Sequence, residues 1–211
     1  MIDKTELSEI DYSNRIGMSA LRIANSYIDG YSSIKFLNDI FEIQQYDQEI
    51  FLTYAELFNY LHGICYQSVV LNLSNILVND KESVNIYYLR SLIKNSITDK
   101  QEMTSYRNLL TIIQKVIEVY SDESSFYLGL KELRDKYIAH IDKVRFHSAT
   151  GLKNKISLND IKIAYDLIGN LVGSLIGWLG INPELLDFDQ LNRANIQFRL
   201  LINETKESPF K

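Results

Sequence analysis

The sequence predicts an all-α fold, a bundle of about six to seven helices, and three features of the chain support that prediction. Apolar residues recur at spacings of three and four residues over most of the chain, which is the period of an amphipathic helix. Only two prolines and nine glycines interrupt 211 residues, so few breaks are expected in long helices. The hydrophobic content of 46% is sufficient for a buried core.

The length of 211 residues and the mass of 24.5 kDa are typical of one domain with short extensions. We predict a polar N-terminal arm over residues 1–17, a single helical domain over residues 18–206 and a frayed tail over residues 207–211.

Charge and cysteine content restrict the function classes. The formal net charge of −5 argues against broad, nonspecific nucleic-acid binding, so any RNA contact has to come from a local patch. The single cysteine, Cys65, excludes a disulfide framework and favours a reducing, cytoplasmic setting. The first residues lack the pattern of a signal peptide, and the apolar stretch 167–181 is too short for a membrane span. We therefore expect no membrane association.

The apolar period predicts a series of helices before the middle of the chain. The segment 48–79 is the most regular of them and ends at Asn79-Asp80. The others cover residues 19–45, 83–96 and 103–120, with Gly30 as a point where the first could break. Ser121 or Asp122 is the expected cap of the next helix.

His62 and Cys65 lie three residues apart on the apolar stripe of the 48–79 helix. His62 is interpreted either as a second active-site imidazole or as a core or interface histidine bonded to a neighbour, and the second interpretation is favoured. The spacing is compatible with a nucleophilic Cys65–His62 pair. The apolar surroundings and the lack of an oxyanion partner argue against that pair.

In the stretch from Arg134 to His140, an arginine, a histidine and other polar groups crowd onto a helical pattern. The two side chains fall on opposite borders of the apolar stripe of this helix, about 120° apart around the axis and roughly 9 Å apart along it. A straight helix cannot bring both onto one phosphate. Either the helix ends or bends near His140, or a second copy supplies the missing group.

The segment 143–155 is a cationic stretch in an acidic chain. Gly151 and Ser148 mark it as a loop, and it has five basic side chains and no acidic one: Lys143, Arg145, His147, Lys153 and Lys155. These side chains are interpreted either as attracting an RNA phosphate backbone or as belonging to an ordinary solvated loop. Both interpretations stay open.

The last third of the domain begins with Ser157 and Asp160, which form the pattern of a capping box. In the helix that follows, three glycines spaced by four residues predict the close approach of a crossing element: Gly169, Gly173 and Gly177. Gly180 is the expected C-terminal cap of this helix, and a final helix is predicted from Pro183 to about Asn203.

The string from Arg134 to Asp142 resembles the motif of HEPN domains (higher eukaryotes and prokaryotes nucleotide-binding), in which four to six residues separate an arginine from a histidine near a helix end. Five residues separate them here. The amino-acid sequence from Arg134 to Asp142 is especially similar to the branch associated with bacterial abortive infection. The resemblance also includes residues 77–80 and the helix around 87–93, and covers roughly residues 50–142. It implies a two-fold dimer in which two Arg/His sets share one cleft.

Together these residues predict a metal-independent endoribonuclease of a bacterial or phage-defence or toxin system, which forms 2′,3′-cyclic phosphate ends. His140, with an unperturbed pKa of ~6.5, is suited to act as the base or the acid. Arg134 has a planar fork of donors that fits a phosphate and stabilises its developing charge. The resemblance implies a role for Asp135 in orienting the site or tuning its proton transfer. Lys136 is expected to add charge at the phosphate.

The chain has no Gly-rich phosphate loop, no paired metal-ligand spacing and no cysteine pair, so no metal ion and no cofactor are expected. The expected partners are RNA, a second copy of the chain and an antitoxin protein. The alternative is a non-catalytic HEPN-like module that binds RNA, a nucleotide or another protein. In that case Arg134 pairs with Asp135 or Glu132, and His140 closes a helix end.

Overall fold

The structure is a computed structural model that describes residues 4–80, 83–96, 103–139 and 155–181. Within these ranges all regular structure is helical, and seven helices follow in chain order: α1 Lys4–Tyr46, α2 Gln48–Thr53, α3 Ala55–Leu77, α4 Ile86–Ser96, α5 Met103–Val119, α6 Ser125–Ala139 and α7 Leu158–Leu179. The predicted all-α bundle is confirmed. The helix predicted from Pro183 and the tail from 207 lie outside the described residues.

The long helix α1 organises the bundle. It packs along α3 and also contacts α7 and α4, while α5 packs on α7 and α4, and α6 packs on α3. Residues 4–17, expected as a polar arm, have a helical backbone that is continuous with the rest of α1.

The core forms where the apolar faces of α1, α3 and α7 meet. Leu37, Leu73 and Ile168, one from each helix, are fully buried, and burying a side chain of this size contributes about 1.5–3 kcal/mol. A smaller cluster of Ile40 and Phe58 packs against residues of α2. None of the helices in the described part of the chain is long and apolar enough to cross a membrane.

The segment 48–79, predicted as one helix, is divided at Tyr54, whose backbone leaves the helical region at φ −116° and ψ 27°. The amide of Tyr54 still donates to the Ile50 carbonyl at 3.1 Å, and the Phe58 amide donates to the Tyr54 carbonyl at 3.0 Å. The stacked rings of Phe51 and Phe58, with centroids 5.5 Å apart, span the break. The helical conformation is therefore interrupted at Tyr54 without the loss of these backbone hydrogen bonds.

Helix α1 runs through Gly30, where the sequence allowed a break. Gly30 lies against Tyr165 of α7, and a Cβ at position 30 would overlap the Tyr165 hydroxyl. That hydroxyl is buried and donates a hydrogen bond to the Val69 carbonyl at 3.0 Å, so it connects α7 to α3 beside α1. The glycine is needed for the space it leaves and not for a change of backbone direction.

The three glycines of α7 differ in their surroundings. A Cβ at Gly169 would lie 2.7 Å from the Tyr27 hydroxyl, whereas nothing among the described residues lies within 4 Å of a Cβ at Gly173 or Gly177. The expectation of a close approach along all three glycines is therefore met only at Gly169, where the approaching group is an aromatic side chain. The predicted ends of α7 are confirmed: Ser157 and Asp160 form a capping box, and Gly180 adopts the left-handed conformation at φ 64°.

Candidate functional site

The turn between α3 and α4 is built around Asn85, whose side chain is only 1% exposed. Its amide nitrogen donates to the carbonyls of Val78 and Asp80, both at 3.0 Å, and to the Ser83 hydroxyl at 3.1 Å. Its amide oxygen accepts from the backbone N–H of Tyr88 at 3.0 Å and so caps α4. A buried amide with this many partners fixes the backbone on both sides of Asp80.

Helix α6 docks on this turn. Tyr127, which is buried, accepts a hydrogen bond on its hydroxyl from the backbone N–H of Asn79 at 3.0 Å. Leu130 and Leu133 are also buried and continue the contact along the same face. The cap of α6 is Ser124, whose hydroxyl accepts from the Tyr127 amide at 3.2 Å, and not Ser121 or Asp122 as predicted. The chain turns once more after Ser121, through the bond from the Ser124 amide to the Ser121 carbonyl, before the helix begins.

Arg134 lies one turn beyond Leu130, at the side of α6 that faces the turn. Its Nη1 lies 3.6 Å from Oδ2 of Asp80, an ion pair between residues 54 positions apart in the chain. Its Nε and Nη2 both donate to Oδ1 of Asp135, at 3.0 Å and 2.9 Å. The Arg134 side chain is 18% exposed, whereas those of Asp80 and Asp135 are 43% and 55% exposed. The guanidinium is therefore held near the surface by carboxylates from two different elements.

Lys136 makes a local contact. Its Nζ lies 3.5 Å from Oε1 of Glu132, one helical turn earlier. The expectation that Lys136 adds charge at the phosphate remains a prediction, because its ammonium group is directed to a carboxylate of its own helix. A shallow surface cavity of roughly 410 Å³ lies along this part of α6, lined by Leu128, Lys131, Glu132, Asp135 and Lys136.

The remaining predicted site residues fall largely outside the described part of the chain. This applies to His140, which follows the last described residue of α6, and to Lys143, Arg145, His147 and Lys153. Lys155 is described and is exposed just before α7. The geometry between Arg134 and His140 therefore stays a prediction.

His62 has aromatic neighbours. Its ring lies edge-on to Phe41, with centroids 5.6 Å apart, and stacks on Tyr66 at 6.4 Å. Burial lowers the pKa of His62 and raises the pKa of the Cys65 thiol. A thiol with a raised pKa is a poor nucleophile at neutral pH, so the pKa directions argue further against a Cys65–His62 pair. Among the described residues no group of three or more His, Cys, Asp or Glu side chains could hold a metal ion.

Sequence reasoning missed the role of three residues in this site: Asp80, Asn85 and Tyr127. The sequence identified Asn79-Asp80 as a helix end and gave Asp80 no contact with Arg134. Asn85, just before the α4 segment, does match the pattern of an N-cap and could have been found from the sequence. The pairing of Asp80 with Arg134 had no local signal, because it depends on how α6 lies against the end of α3.

The all-α bundle is the fold of a HEPN-type domain. More particularly, the chain belongs to the AbiU2 family of HEPN domains, whose family model matches residues 48–183. The match begins at α2, contains both Asp80 and Arg134, and extends beyond the range over which the resemblance was recognised. The chain is therefore an abortive-infection-type HEPN domain. No curated protein and no solved structure matched the chain significantly.

Proposed function

We propose that this protein is a metal-independent endoribonuclease that cleaves RNA by attack of a 2′-hydroxyl on the adjacent phosphorus. A base removes the 2′ proton as the new P–O2′ bond forms. An acid protonates the leaving 5′-oxygen as the P–O5′ bond breaks. The products are a 2′,3′-cyclic phosphate and a free 5′-hydroxyl. His140 carries the proton transfer, and Arg134 stabilises the charge that gathers on the non-bridging oxygens.

The observation that carries the proposal is the placement of Arg134. Its guanidinium is fixed near the surface by Asp80 and Asp135, in the same helix that leads directly to His140. Fixed donors stabilise a transition state better than mobile ones, because they do not have to be reorganised as charge develops. An arginine is also matched to a phosphate by its planar fork of N–H donors.

The local charge supports a site that is completed by further cations. Arg134 with its two carboxylate partners carries a formal charge of −1, and the Lys136–Glu132 pair is neutral. An RNA phosphate brought to these residues alone meets no net attraction. We therefore include the basic segment 143–155 in the proposed RNA site. The dimer that the HEPN resemblance implies adds the same segment of a second copy, related by a two-fold axis. A second motif helix contributes another Arg134 and another His140 to the cleft.

Substitutions in the motif test the proposal. We expect His140→Ala and Arg134→Ala each to lower the cleavage rate by about 100-fold or more. Arg134→Lys recovers only part of the loss, because a point charge does not reproduce the planar fork. The two Arg134 variants keep the melting temperature close to that of the wild type, because ion pairs near the surface contribute only about 0–1 kcal/mol. His140→Ala also keeps it, because the proposed role of His140 is proton transfer and not packing. The control is Glu123→Gln, which changes an exposed carboxylate before α6 and leaves the rate unchanged.

A second candidate function is favoured by one observation, the ion pairing of Arg134 itself. If Arg134 serves to clamp α6 onto the α3–α4 turn, the protein is a non-catalytic HEPN-like module that binds RNA, a nucleotide or another protein. In that case Arg134→Ala melts early, and any remaining activity follows the folded fraction. Early melting of both motif variants would replace the ribonuclease proposal with this one.

A further inference from the structure

The two carboxylates that hold Arg134 contact different parts of its guanidinium. Asp135 Oδ1 accepts from both Nε and Nη2, and so occupies the side edge of the planar fork. Asp80 approaches the guanidinium at Nη1, with its Oδ2 3.6 Å away. A phosphate that binds the side edge with two parallel hydrogen bonds needs the same two donors that Asp135 already uses.

The two acidic residues also lie in different elements. The backbone of Asp80 is fixed by the buried amide of Asn85 and by the bond from the Ser83 amide to the Asp80 carbonyl at 3.3 Å. Asp135 belongs to the exposed side of α6, and its side chain is 55% exposed. Rotation of the Asp135 side chain into solvent frees the side edge, whereas the Asp80 carboxylate contacts Nη1 and can stay in place while that edge is exchanged. Asp135 is therefore the partner that an incoming anion displaces.

We propose that Asp135 is a gate on Arg134: its carboxylate occupies the phosphate-binding edge in the free protein and is exchanged for a phosphate group, while Asp80 stays in place and orients the guanidinium. The inference rests on the proposed function for the identity of the anion, a phosphodiester of RNA. In this proposal Asp135 competes with the phosphate for the guanidinium of Arg134. Asp80 is the residue that positions the guanidinium.

The size of the effect follows from the exposure of the pair. Exposed ion pairs are weak, and a unit charge about 6 Å from a phosphate in a water-like medium changes its affinity by roughly threefold. Removing the Asp135 charge should therefore tighten anion binding at Arg134 by about threefold. Removing the Asp80 charge takes away the same charge but also releases the guanidinium, so it should not tighten binding.

The test follows the Nε–H resonance of Arg134 by NMR while inorganic phosphate is added to the full chain. Arg134→Lys assigns the resonance by its loss. We expect the phosphate midpoint to be about threefold lower in Asp135→Asn than in the wild type, and unchanged or higher in Asp80→Asn. Glu123→Gln, which also changes one exposed acid to its amide, should match the wild type. Melting curves of all variants show that each is folded.

If Asp80→Asn and Asp135→Asn lower the phosphate midpoint equally, net charge alone explains the effect, and the proposed role of Asp135 as a gate is wrong. An unchanged or higher midpoint in Asp135→Asn, or no response to phosphate in either protein, would also overturn it. The readout needs no cleavage, so a protein that binds phosphate as predicted but never cuts RNA fails the ribonuclease proposal alone. A protein that cuts RNA with equal midpoints fails the gate alone.

Discussion

Asn85 has the most consequential position among the individual residues, because one buried amide defines the turn that presents Asp80. Four hydrogen bonds converge on it, and two of them satisfy the carbonyls of Val78 and Asp80. Loss of this amide removes all four bonds, each worth about 0.5–1.5 kcal/mol net, and takes away the cap of α4 at the Tyr88 N–H. The stability of this turn and the orientation of Arg134 therefore depend on the same side chain.

We expect Asn85→Ala to lower the free energy of unfolding by about 2–3 kcal/mol, measured by urea denaturation. The matched control is Asn75→Ala, which removes the same amide from an exposed position of α3 and should change stability by less than about 0.5 kcal/mol. A loss for Asn85→Ala no larger than that of the control would show that the turn does not depend on this amide.

At the residue scale, the sequence predicted the surroundings of single side chains better than the contacts between residues far apart in the chain. The apolar setting of His62 and Cys65 followed from the helical period, and the structure agrees, because burial shifts both pKa values away from the charged form. The Asp80–Arg134 pair joins residues 54 positions apart. No local pattern encodes such a pair, since it exists only once α6 has packed on α3.

At the scale of elements, the helices followed from the apolar period because each one buries a single continuous face. The division at Tyr54 and the continuity of α1 through Gly30 did not follow. Both depend on aromatic packing between helices, the Phe51–Phe58 stack in one case and the buried Tyr165 in the other. A glycine in a helix carries no sequence signal that separates a break from a space left for a neighbour.

Gly30 gives a prediction at this scale with an internal control. Gly30→Ala should destabilise the protein by about 2–3 kcal/mol, because the new Cβ displaces the Tyr165 hydroxyl from its bond to the Val69 carbonyl. Gly173→Ala makes the same change where nothing among the described residues lies within 4 Å, and should stabilise by about 0.5–1 kcal/mol.

Denaturation curves of the two glycine variants provide the comparison. Tyr165→Phe, combined with Gly30→Ala, removes the overlapping oxygen and should restore part of the loss. If Gly30→Ala is as stable as Gly173→Ala, the close packing of α1 on α7 described above is wrong.

At the scale of the whole molecule, the family match establishes the class of domain, whereas the assembly belongs to our proposal. In this chain Arg134 is held by Asp80 and Asp135, and the three side chains together carry a formal charge of −1. In our proposal the basic segment 143–155, present in each copy of the chain, supplies the missing cations. The sequence predicted the class of domain because the motif is local. The sequence did not determine the oligomeric state, because the surfaces through which subunits contact each other have no distinct local sequence pattern.

Incubation of the pure protein with labelled RNA in excess chelator is the most direct test of the central claim, metal-independent cleavage by the Arg134–His140 motif. We predict that the wild type cuts the RNA and leaves 2′,3′-cyclic phosphate ends, and that His140→Ala from the same purification leaves the RNA intact. Cleavage that disappears with chelator and returns with a divalent cation would contradict the account, as would equal cleavage by His140→Ala.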